Sequence, residues 1–390
     1  MTFLDTLFRR RDSRKADSPA HMTWAKSSLG KSVSRASLFL KKNLWLWPII
    51  AVLILSAVGV GMRSAIERTM KANLESGLTT ILNLETQMLL SWFRVQESVA
   101  ETQANDLEIK RHVVEILESL DEETEAGTEV NLAQTRKELS RSLGPGLSSH
   151  DYVGYFIADK GRTIVAASEP SLIGEKEITA YEGFLASVFD GETTVSPPFP
   201  SIVPMKTASG ERRSGEPTMY ACAPIRDESS QVVAALAMQI RPEREFTRIL
   251  QLGRVGESGE TYAFNQDGLM VSNSRFDEDL ILLGLLADED EARSLLRLHV
   301  RTPGGDMTAG YRPQVRRSQL PLTLMATDAI EGNSGSNVEG YPDYRGVPVI
   351  GAWTWLEKYR LGVATEVDVA QAYRPLVILQ RTFWGLYFLL

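Results

Sequence analysis

GESGETYAFNQDGLMVSNSR, residues 256–275, has the pattern of a β-hairpin. Thr261–Phe264 predicts a strand, because aromatic and β-branched residues favour strands. Asp267-Gly268 predicts a type I′ turn, since Gly tolerates the positive φ that such a turn needs. Leu269–Val271 is then the return strand, and the Gly-rich start of the stretch leads the chain into the hairpin.

The same pattern occurs earlier in the chain. YFIADKGRTIVAAS, Tyr155–Ser168, aligns with it at an offset of 107, which pairs Tyr155 with Tyr262 and Gly161 with Gly268. A second hairpin and a short helix follow each copy, and there the offset is 127, as between Phe246 and Tyr373. The later strands are predicted at Met219–Ile225, Val232–Ile240, Val347–Trp355 and Leu361–Val367. This order predicts one α/β unit present twice; the alternative is a chance likeness of two common patterns.

Two segments of the second copy carry a resemblance to a known family. GESGETYAFNQDG (256–268) and GYPDYRGVPVIGAWTWLEKYRLGVATEVDVAQAYRPL (340–376) resemble the membrane-proximal half of a double Cache sensor domain. The resemblance spans Met62–Leu379, and the first module is recognised mainly by its order of elements. It implies an α+β fold with an N-terminal transmembrane helix, a long stalk helix and two tandem PAS-like modules with antiparallel sheets. It also implies a bacterial receptor that binds a small molecule outside the cytoplasm.

The chain divides into six predicted segments. They are a basic cytoplasmic tail (1–42), a transmembrane helix (43–62), a helical stalk (63–150), the membrane-distal module (151–252), the membrane-proximal module (253–379) and the start of a second, truncated transmembrane helix (380–390). The last segment contains FWGLYFLL, eight apolar residues that reach about 12 Å and are too short to span a bilayer. A hydrophobic tail that docks on the membrane or the domain is the alternative for it.

Charge is distributed unevenly along the chain. Residues 1–42 hold ten Lys or Arg and three Asp, whereas the whole chain has a net charge of −8. Asn43–Met62 has no charged residue over 20 positions, enough to cross a hydrocarbon core of about 30 Å. The basic flank predicts that the N-terminus stays in the cytoplasm and that residues 63–380 are periplasmic, with the inner membrane between them. A cleaved signal peptide is the alternative.

The stalk is predicted to be helical. Arg63–Leu120 predicts one long helix, and Asn131–Leu143 a further helix that ends at Gly144-Pro145-Gly146. Apolar residues follow a heptad spacing interrupted by one carboxylate: Leu74, Leu78, Ile81, Glu85, Met88, Trp92, Val95 and Val99. A second line runs through Leu82, Leu89 and Phe93. One seam would pack on the modules and the other on a second copy. The resemblance implies this homodimer; a single amphipathic helix on its own domain is the alternative.

Three stretches of the modules have less regular patterns. Phe184–Pro217 is rich in Pro, Gly and Ser and predicts a short helix followed by long loops. Leu280–His299 has helical character, and Glu331–Gly340, EGNSGSNVEG, predicts a flexible loop. Trp353 and Trp355 are predicted to fill the core of the second module.

The residues predict no catalytic, metal or cofactor chemistry. The chain has no GxSxG, Walker A, HExxH or CxxC pattern, and its four histidines are scattered at His21, His112, His150 and His299. The single cysteine, Cys222, excludes an internal disulfide and is predicted to be buried in a strand. Glu243 and Glu245 are interpreted as solvated. Because the basic run adjoins an apolar span, it indicates anionic lipid rather than nucleic acid as its partner.

A membrane-anchored sensor is the function that these features favour, and the chain itself is not expected to be an enzyme. It also resembles the input half of planctomycete-type serine/threonine kinases, which would place a catalytic domain beyond Leu390. A purely structural membrane protein is a further alternative. The resemblance implies a ligand pocket in the first module, between its sheet and the Phe184–Pro217 loops, with Tyr155, Arg162, Tyr181, Tyr220 and Asp227 as the residues expected to line it. Core or surface packing is the alternative for the three tyrosines. No Trp occurs between Asp151 and Leu252, so the Arg-x-Trp-Tyr pattern of the amino-acid-binding subfamily does not transfer.

Overall fold

The computed structural model describes residues 46–121, 128–206, 210–289 and 292–389. The predicted cytoplasmic tail, the first residues of the predicted transmembrane helix and most of the acidic 121–129 segment lie outside these ranges. Of the described residues, those from 46 to Ala65 and those from Ile66 onward belong to two separate compact units.

Three helices precede the modules: α1 (Leu46–Asn105), α2 (Leu107–Asp121) and α3 (Thr128–Ser149). Of the helices that the structure describes, only α1 is long and apolar enough, by length and composition, to cross a membrane. The single helix predicted over Arg63–Leu120 is interrupted, because Asp106 ends one helix and begins the next. Its carboxylate accepts the N–H groups of Glu108 at 2.9 Å and Ile109 at 3.1 Å, which makes it the N-cap of α2.

The prediction that α3 ends at Gly144-Pro145-Gly146 is wrong. The helix continues through Pro145 to Ser149. A proline inside a helix removes one hydrogen bond and is unfavourable. Here Leu143 and Leu147, on either side of Pro145, both pack on the hydrophobic core, and this packing keeps the chain helical.

The first module contains a six-stranded antiparallel sheet and a small two-stranded one. The order in the main sheet is β2-β1-β8-β7-β3, and β4 pairs with β7. Its strands are β1 (Gly154–Asp159), β2 (Ile164–Ala167), β3 (Thr194–Val195), β4 (Phe199–Pro200), β7 (Pro217–Arg226) and β8 (Val232–Ile240). Strands β5 (Met205–Lys206) and β6 (Arg212–Arg213) pair with each other. Helices α4 (Thr179–Phe189) and α5 (Phe246–Leu250) complete the module.

The second module contains a four-stranded antiparallel sheet in the order β10-β11-β12-β9. Its strands are β9 (Glu260–Phe264), β10 (Gly335–Pro342), β11 (Pro348–Leu356) and β12 (Leu361–Asp368). Its helices are α6 (Asp277–Leu282), α7 (Leu324–Ile330), α8 (Val369–Ala372) and α9 (Arg374–Leu389). Residues 383–389 of the FWGLYFLL segment form the end of α9.

The two sheets share one strand order, so the unit is duplicated. Strand β1 lies beside β8, which lies beside β7, and β9 lies beside β12, which lies beside β11. In the first module Phe156 pairs with Ala237, and in the second Tyr262 pairs with Ala364. Ala237 and Ala364 are 127 apart, as predicted, but Phe156 and Tyr262 are 106 apart, so the predicted offset of 107 for the first strand is wrong by one residue.

The turns confirm the offset of 106. Asn265 accepts the N–H of Gly268 at 2.9 Å and donates its own N–H to Leu269 O at 2.9 Å. Asp159 makes the same two bonds with Arg162 and Thr163. Gly268 has φ +72° and its equivalent Arg162 has φ +58°, whereas Asp267 is not among the positive-φ residues. The turn therefore has one left-handed residue at its end rather than the two that type I′ requires.

The return arm predicted at Leu269–Val271 pairs with the first arm: Asn265 N–H donates to Leu269 O and Val271 N–H donates to Ala263 O, both at 2.9 Å. The pairing takes the form of isolated bridges rather than a regular strand. Two further predictions about the second module are wrong. Within 280–299 a helix extends only to Leu282. Gly335–Pro342 is strand β10, paired with β11, rather than a loop. The small residues of this segment suit a strand whose Gly335 lies against the ring of Trp353.

The stalk residues of α1 separate into a buried and an exposed set. The second predicted line, Leu82, Leu89 and Phe93, lies in the largest buried cluster together with one face of each sheet. The heptad line is divided: Leu78, Glu85 and Trp92 are buried, whereas Met88 and Val95 are exposed. Glu85 accepts the N–H of Gly253 at 2.8 Å, which explains why a carboxylate interrupts the apolar pattern.

Candidate ligand-binding site

A cavity of about 300 Å³ lies in the first module. It is bordered by the start of β1, the residues after β2, the β5–β6 loops and the end of β8. Its polar residues are Ser168, Glu169, Arg212, Tyr220, Gln239 and Arg241. The predicted Phe184–Pro217 loops thus supply one wall, and the sheet supplies the other.

The polar groups of the cavity are held by local contacts. Arg212 Nη2 lies 2.6 Å from the Glu169 carboxylate and also donates to Pro204 O at 3.1 Å. Gln239 Nε2 donates to Thr218 Oγ1 at 3.1 Å. The Arg241 Nε atom is buried and has no hydrogen-bond partner among the described residues. The cavity therefore offers two guanidinium groups and one carboxylate to an occupant.

This set of groups suits a small polar molecule with an acidic group. Guanidinium groups bind carboxylates and phosphates through charge-assisted hydrogen bonds, often in pairs. The Glu169 carboxylate is an acceptor for an ammonium or hydroxyl group of the same molecule. Pockets for small molecules are concave, with a few polar groups that fix orientation, and a cavity of this size lies at the lower end of their range.

The structure places Tyr155 on the opposite face of the sheet from the other predicted tyrosines. Its ring belongs to the cluster that packs on the stalk helices, and its hydroxyl hydrogen-bonds to Ser140 of α3. Burial raises the pKa of this hydroxyl. Tyr155 borders the cavity, but a strand alternates its side chains between two faces, so the ring is directed away from Tyr181 and Tyr220.

Tyr181 and Tyr220 lie together in a packed aromatic cluster. Their hydroxyl oxygens are 3.3 Å apart, and the Tyr181 ring stacks on Phe156 with centroids 4.8 Å apart. Burial raises the pKa of Tyr181 to about 12 and that of Tyr220 well above its ordinary value. Tyr220 borders the cavity and stays a candidate for ligand contact, whereas Tyr181 fills the core beneath α4.

Arg162 and Asp227 lie at the other end of the sheet. Arg162 is in the β1–β2 turn, and Asp227 is in the β7–β8 turn, where its carboxylate accepts the Ser229 hydroxyl at 2.7 Å and the Gln231 N–H at 2.8 Å. The Ser229 hydroxyl is the main cause that lowers the pKa of Asp227. The five residue steps along β1 from Gly154 to Asp159 separate these turns from the cavity by about 17 Å. The five predicted residues therefore do not form one site.

Sequence reasoning missed the charged residues of the cavity: Glu169, Arg212 and Arg241. A usable signal was present in β8, VVAALAMQI, where Gln239 is a polar residue in an otherwise apolar strand and Arg241 follows directly. Arg212 lies in a Gly- and Ser-rich segment without periodicity, and only the fold brings it to Glu169, 43 residues away in the chain.

In the second module, the position equivalent to Gln239 belongs to a buried polar network rather than to the wall of a cavity. Glu366 is 127 residues after Gln239 and so occupies its place on β12. Its two carboxylate oxygens accept the hydroxyl groups of Tyr262 at 2.9 Å and Tyr341 at 2.7 Å. Nearby, Glu260 accepts the Tyr344 hydroxyl at 2.5 Å.

One buried guanidinium serves this network. Arg345 lies 2.6 Å from Asp343 and 2.9 Å from Asp368, and it stacks over the Phe276 ring at 3.8 Å. Burial raises the pKa of Glu366 to about 8 and that of Asp343 to about 6. Because each carboxyl is satisfied by neighbouring side chains, the second module fills with protein groups the region that is open in the first.

Solved structures with similar folds were found. The match to the histidine kinase DctB sensor domain of V. cholerae spans 77% of this chain and 98% of that domain, with 12% identity and a TM-score of 0.42. The match to the ligand-binding domain of the Pseudomonas aeruginosa PAO1 amino acid chemoreceptor PctB, solved in complex with L-Arg, spans 80% of this chain and 94% of that domain, with 13% identity and a TM-score of 0.45. The match to the ligand-binding domain of the Campylobacter jejuni chemoreceptor Tlp3, solved in complex with L-norvaline, spans 78% of this chain and 94% of that domain, with 10% identity and a TM-score of 0.43.

No family model matches the chain, and no curated protein matches it. The architecture, two antiparallel α+β modules of one strand order after a long helix, is the one that the sequence resemblance implied.

Proposed function

We propose that this protein is a membrane-anchored extracytoplasmic sensor that binds a small molecule in the first module and transmits a signal across the membrane. The cavity beside Glu169, Arg212 and Arg241 carries the proposal, since the duplicated second module fills the equivalent region with its own side chains. A duplicated unit in which one copy is closed and the other open fits a division between a binding module and a coupling module.

The chemistry of the cavity sets the class of ligand. A carboxylate or phosphate group pairs with the guanidinium groups of Arg212 and Arg241, and a donor on the same molecule pairs with Glu169. Small carboxylates and zwitterions are therefore the first compounds to test, ahead of purines and sugars.

A thermal-shift screen of the full chain in nanodiscs tests the proposal. The library holds amino acids, carboxylates, amines, purines and sugars, and tryptophan fluorescence reports unfolding. A hit raises the Tm of wild type and loses most of this shift in Arg212→Gln, because the guanidinium that pairs with the acidic group is gone.

Two variants serve as controls for the screen. Arg111→Gln, on the exposed side of α2, removes the same charge outside the cavity and retains the shift. Trp353→Ala alters the second module; a hit that survives Arg212→Gln but disappears with Trp353→Ala places the ligand there and contradicts the proposal. If no compound binds, signalling through a partner protein is the better hypothesis.

A second copy of the chain is the proposed partner of the exposed stalk face. Leu84, Met88 and Val95 are 59%, 39% and 51% exposed, respectively. With Gly77 and Ser91 they follow a three-four spacing, about 27 Å long, on the exposed face of α1. Ile81, at the remaining position of this spacing, is half-buried beside Gly253. Large apolar side chains repeated every heptad on an open face fit a parallel homodimer seam.

Disulfide cross-linking tests the homodimer. The native Cys222 is fully buried, so new surface cysteines report without interference. Ser91→Cys, on the stripe, is expected to give a covalent dimer on oxidation, whereas Asn83→Cys, exposed on the flank of the same helix, is not. Equal cross-linking of both variants, or of neither, contradicts this seam.

The location and the output of the protein complete the proposal. We place the modules in the periplasm and the anchor in the inner membrane; protease added to spheroplasts then cuts the modules, and protection of the modules contradicts this topology.

The chain itself is proposed to have no catalytic activity, with any enzymatic output, such as a serine/threonine kinase, encoded beyond Leu390. The downstream coding sequence tests that assignment directly.

A further inference from the structure

A second cavity, of about 520 Å³, lies at the junction of the two modules. The first module contributes Glu216, Arg241 and Glu243 to its wall, and the second contributes Asn273, Arg293 and Arg297. It shares Met205 and Arg241 with the first cavity, but Arg212 borders only the first and Arg293 only the second. The two cavities are thus neighbours that can be separated by mutation.

Two residues of the cavity wall, one from each module, have a buried polar side-chain atom with no hydrogen-bond partner among the described residues. Arg241 Nε, a donor, and Asn273 Oδ1, an acceptor, make no hydrogen bond to any residue that the structure describes. Buried polar groups are nearly always paired in native proteins, and an unpaired one is costly. One occupant that both accepts and donates satisfies the two atoms at once.

The charges of the wall define the occupant further. Arg244 pairs with Asp151, and Arg297 Nη1 lies 3.4 Å from the Glu289 carboxylate, so these two guanidinium groups already have carboxylate partners. Arg293 donates to the backbone oxygen of Ala292 at 3.2 Å. Its charge acts on the Asp277 carboxyl and that of Arg241 on the Glu243 carboxyl, but neither guanidinium forms a direct ion pair with a described residue. The two carboxylates of the wall, Glu216 and Glu243, would repel a simple anion but accept hydrogen bonds from a hydroxyl group. Burial, with the neighbouring Glu216 charge, raises the pKa of Glu243, which weakens that repulsion.

We propose that the junction cavity is a second binding site, for a small hydroxycarboxylate that bridges the two modules. Its carboxylate accepts from Arg241 and Arg293, one from each module, and its hydroxyl donates to Asn273. An occupant held by both modules stabilises the junction between them. An occupant of the first cavity contacts only the first module and does not have this effect.

A matched pair of probes tests this site. Citrate and tricarballylate have the same three carboxylates and differ by one hydroxyl, so their difference reports on Asn273. Binding to the full chain in nanodiscs is measured by thermal shift and titration calorimetry, with sodium chloride at equal ionic strength as the reference. Citrate is expected to bind more tightly than tricarballylate, to bind about tenfold more weakly or worse in Arg293→Gln, and to bind unchanged in Arg212→Gln and Arg111→Gln.

Asn273→Ala separates this site from general charge effects. It is expected to remove the preference for citrate while leaving tricarballylate binding unchanged. The proposal is overturned if neither probe stabilises the chain beyond sodium chloride, if both bind equally, or if Arg293→Gln has no effect. Loss of binding in Arg212→Gln places the probe in the first cavity and likewise overturns it.

Discussion

At the scale of single residues, one glycine fixes the turn of the second module. Gly268 has φ +72°, a conformation that a β-branched residue adopts only with strain. A Cβ atom at this position would also meet the Leu322 side chain. Gly268→Val is therefore expected to lower the free energy of unfolding by about 1–3 kcal/mol.

Chemical denaturation of the full chain in nanodiscs measures this loss. Gly161→Val is the matched control, because Gly161 lies in the equivalent turn of the first module without a positive φ. The control is expected to lose clearly less stability. Equal losses would mean that the strain at residue 268 is not what makes its glycine necessary.

A buried carboxyl group predicts a pH dependence. Burial raises the pKa of Glu366 to about 8, from an ordinary value of 4.5. The folded state thus binds this proton more tightly than the unfolded state. The stabilisation that follows is complete below pH 4.5 and is lost as the pH rises to about 8, with a slope of at most about 1.4 kcal/mol per pH unit.

Glu366→Gln removes this titration and keeps the shape of the protonated side chain. It is also the residue type found at the equivalent position 239. Denaturation between pH 5 and pH 8 is expected to show a shallower loss of stability for the variant than for wild type. Glu289→Gln, at an exposed carboxylate, is the control and keeps the wild-type slope. Parallel wild-type and Glu366→Gln curves would show that Glu366 is ionised throughout.

The sequence alignment of the two modules is in error by one residue at the first strand, and this changes the face on which Tyr155 is expected to lie. The alignment at offset 107 matched Tyr155 with Tyr262, but the hydrogen bonds of the turns match Phe156 with Tyr262. Because successive side chains of a strand point to opposite faces, a shift of one residue moves a side chain from one face to the other. The ring of Tyr155 accordingly lies on the stalk side of the sheet, whereas that of Tyr262 does not, although Tyr155 also borders the first cavity.

At the scale of elements, helix α1 is attached to the second module by a buried carboxylate. Glu85 accepts the Gly253 N–H, and burial raises the pKa of its side chain. Glu85→Ala leaves that N–H buried and unpaired, so we expect a loss of about 1–3 kcal/mol, whereas Glu85→Gln keeps an acceptor and loses less. Urea unfolding compares both with Gln87→Ala, which is exposed on the same helix. A loss in Glu85→Ala no larger than in Gln87→Ala would contradict this role.

The elements differ in how well the sequence predicted them. Strands β7, β8, β11 and β12 are apolar and regular, and their predicted bounds lie close to the observed ones. Strand β10 was predicted as a loop, because its Gly, Ser and Asn residues have low strand propensity. Its backbone pairs with β11 all the same, so a tertiary contact overrides the local preference. The continuation of α3 through Pro145 has the same kind of cause.

At the scale of the whole molecule, the fold follows from the duplication, whereas the difference between the copies indicates function. The strand order of the two sheets was predictable, because each strand pattern occurs twice in the same sequence of elements. The open cavity of the first module and the filled interior of the second were not predictable. They depend on side chains such as Arg212 and Glu366, which only the fold brings to their places.

Hydrogen–deuterium exchange of the full chain in nanodiscs, with and without the most stabilising compound from the ligand screen, locates the binding module directly. We predict slower exchange in β5, β6 and the end of β8, which border the first cavity, and unchanged exchange in β10 and β11. Slower exchange confined to β10–β12, or no change in either module, would contradict a sensor that binds its ligand in the first module.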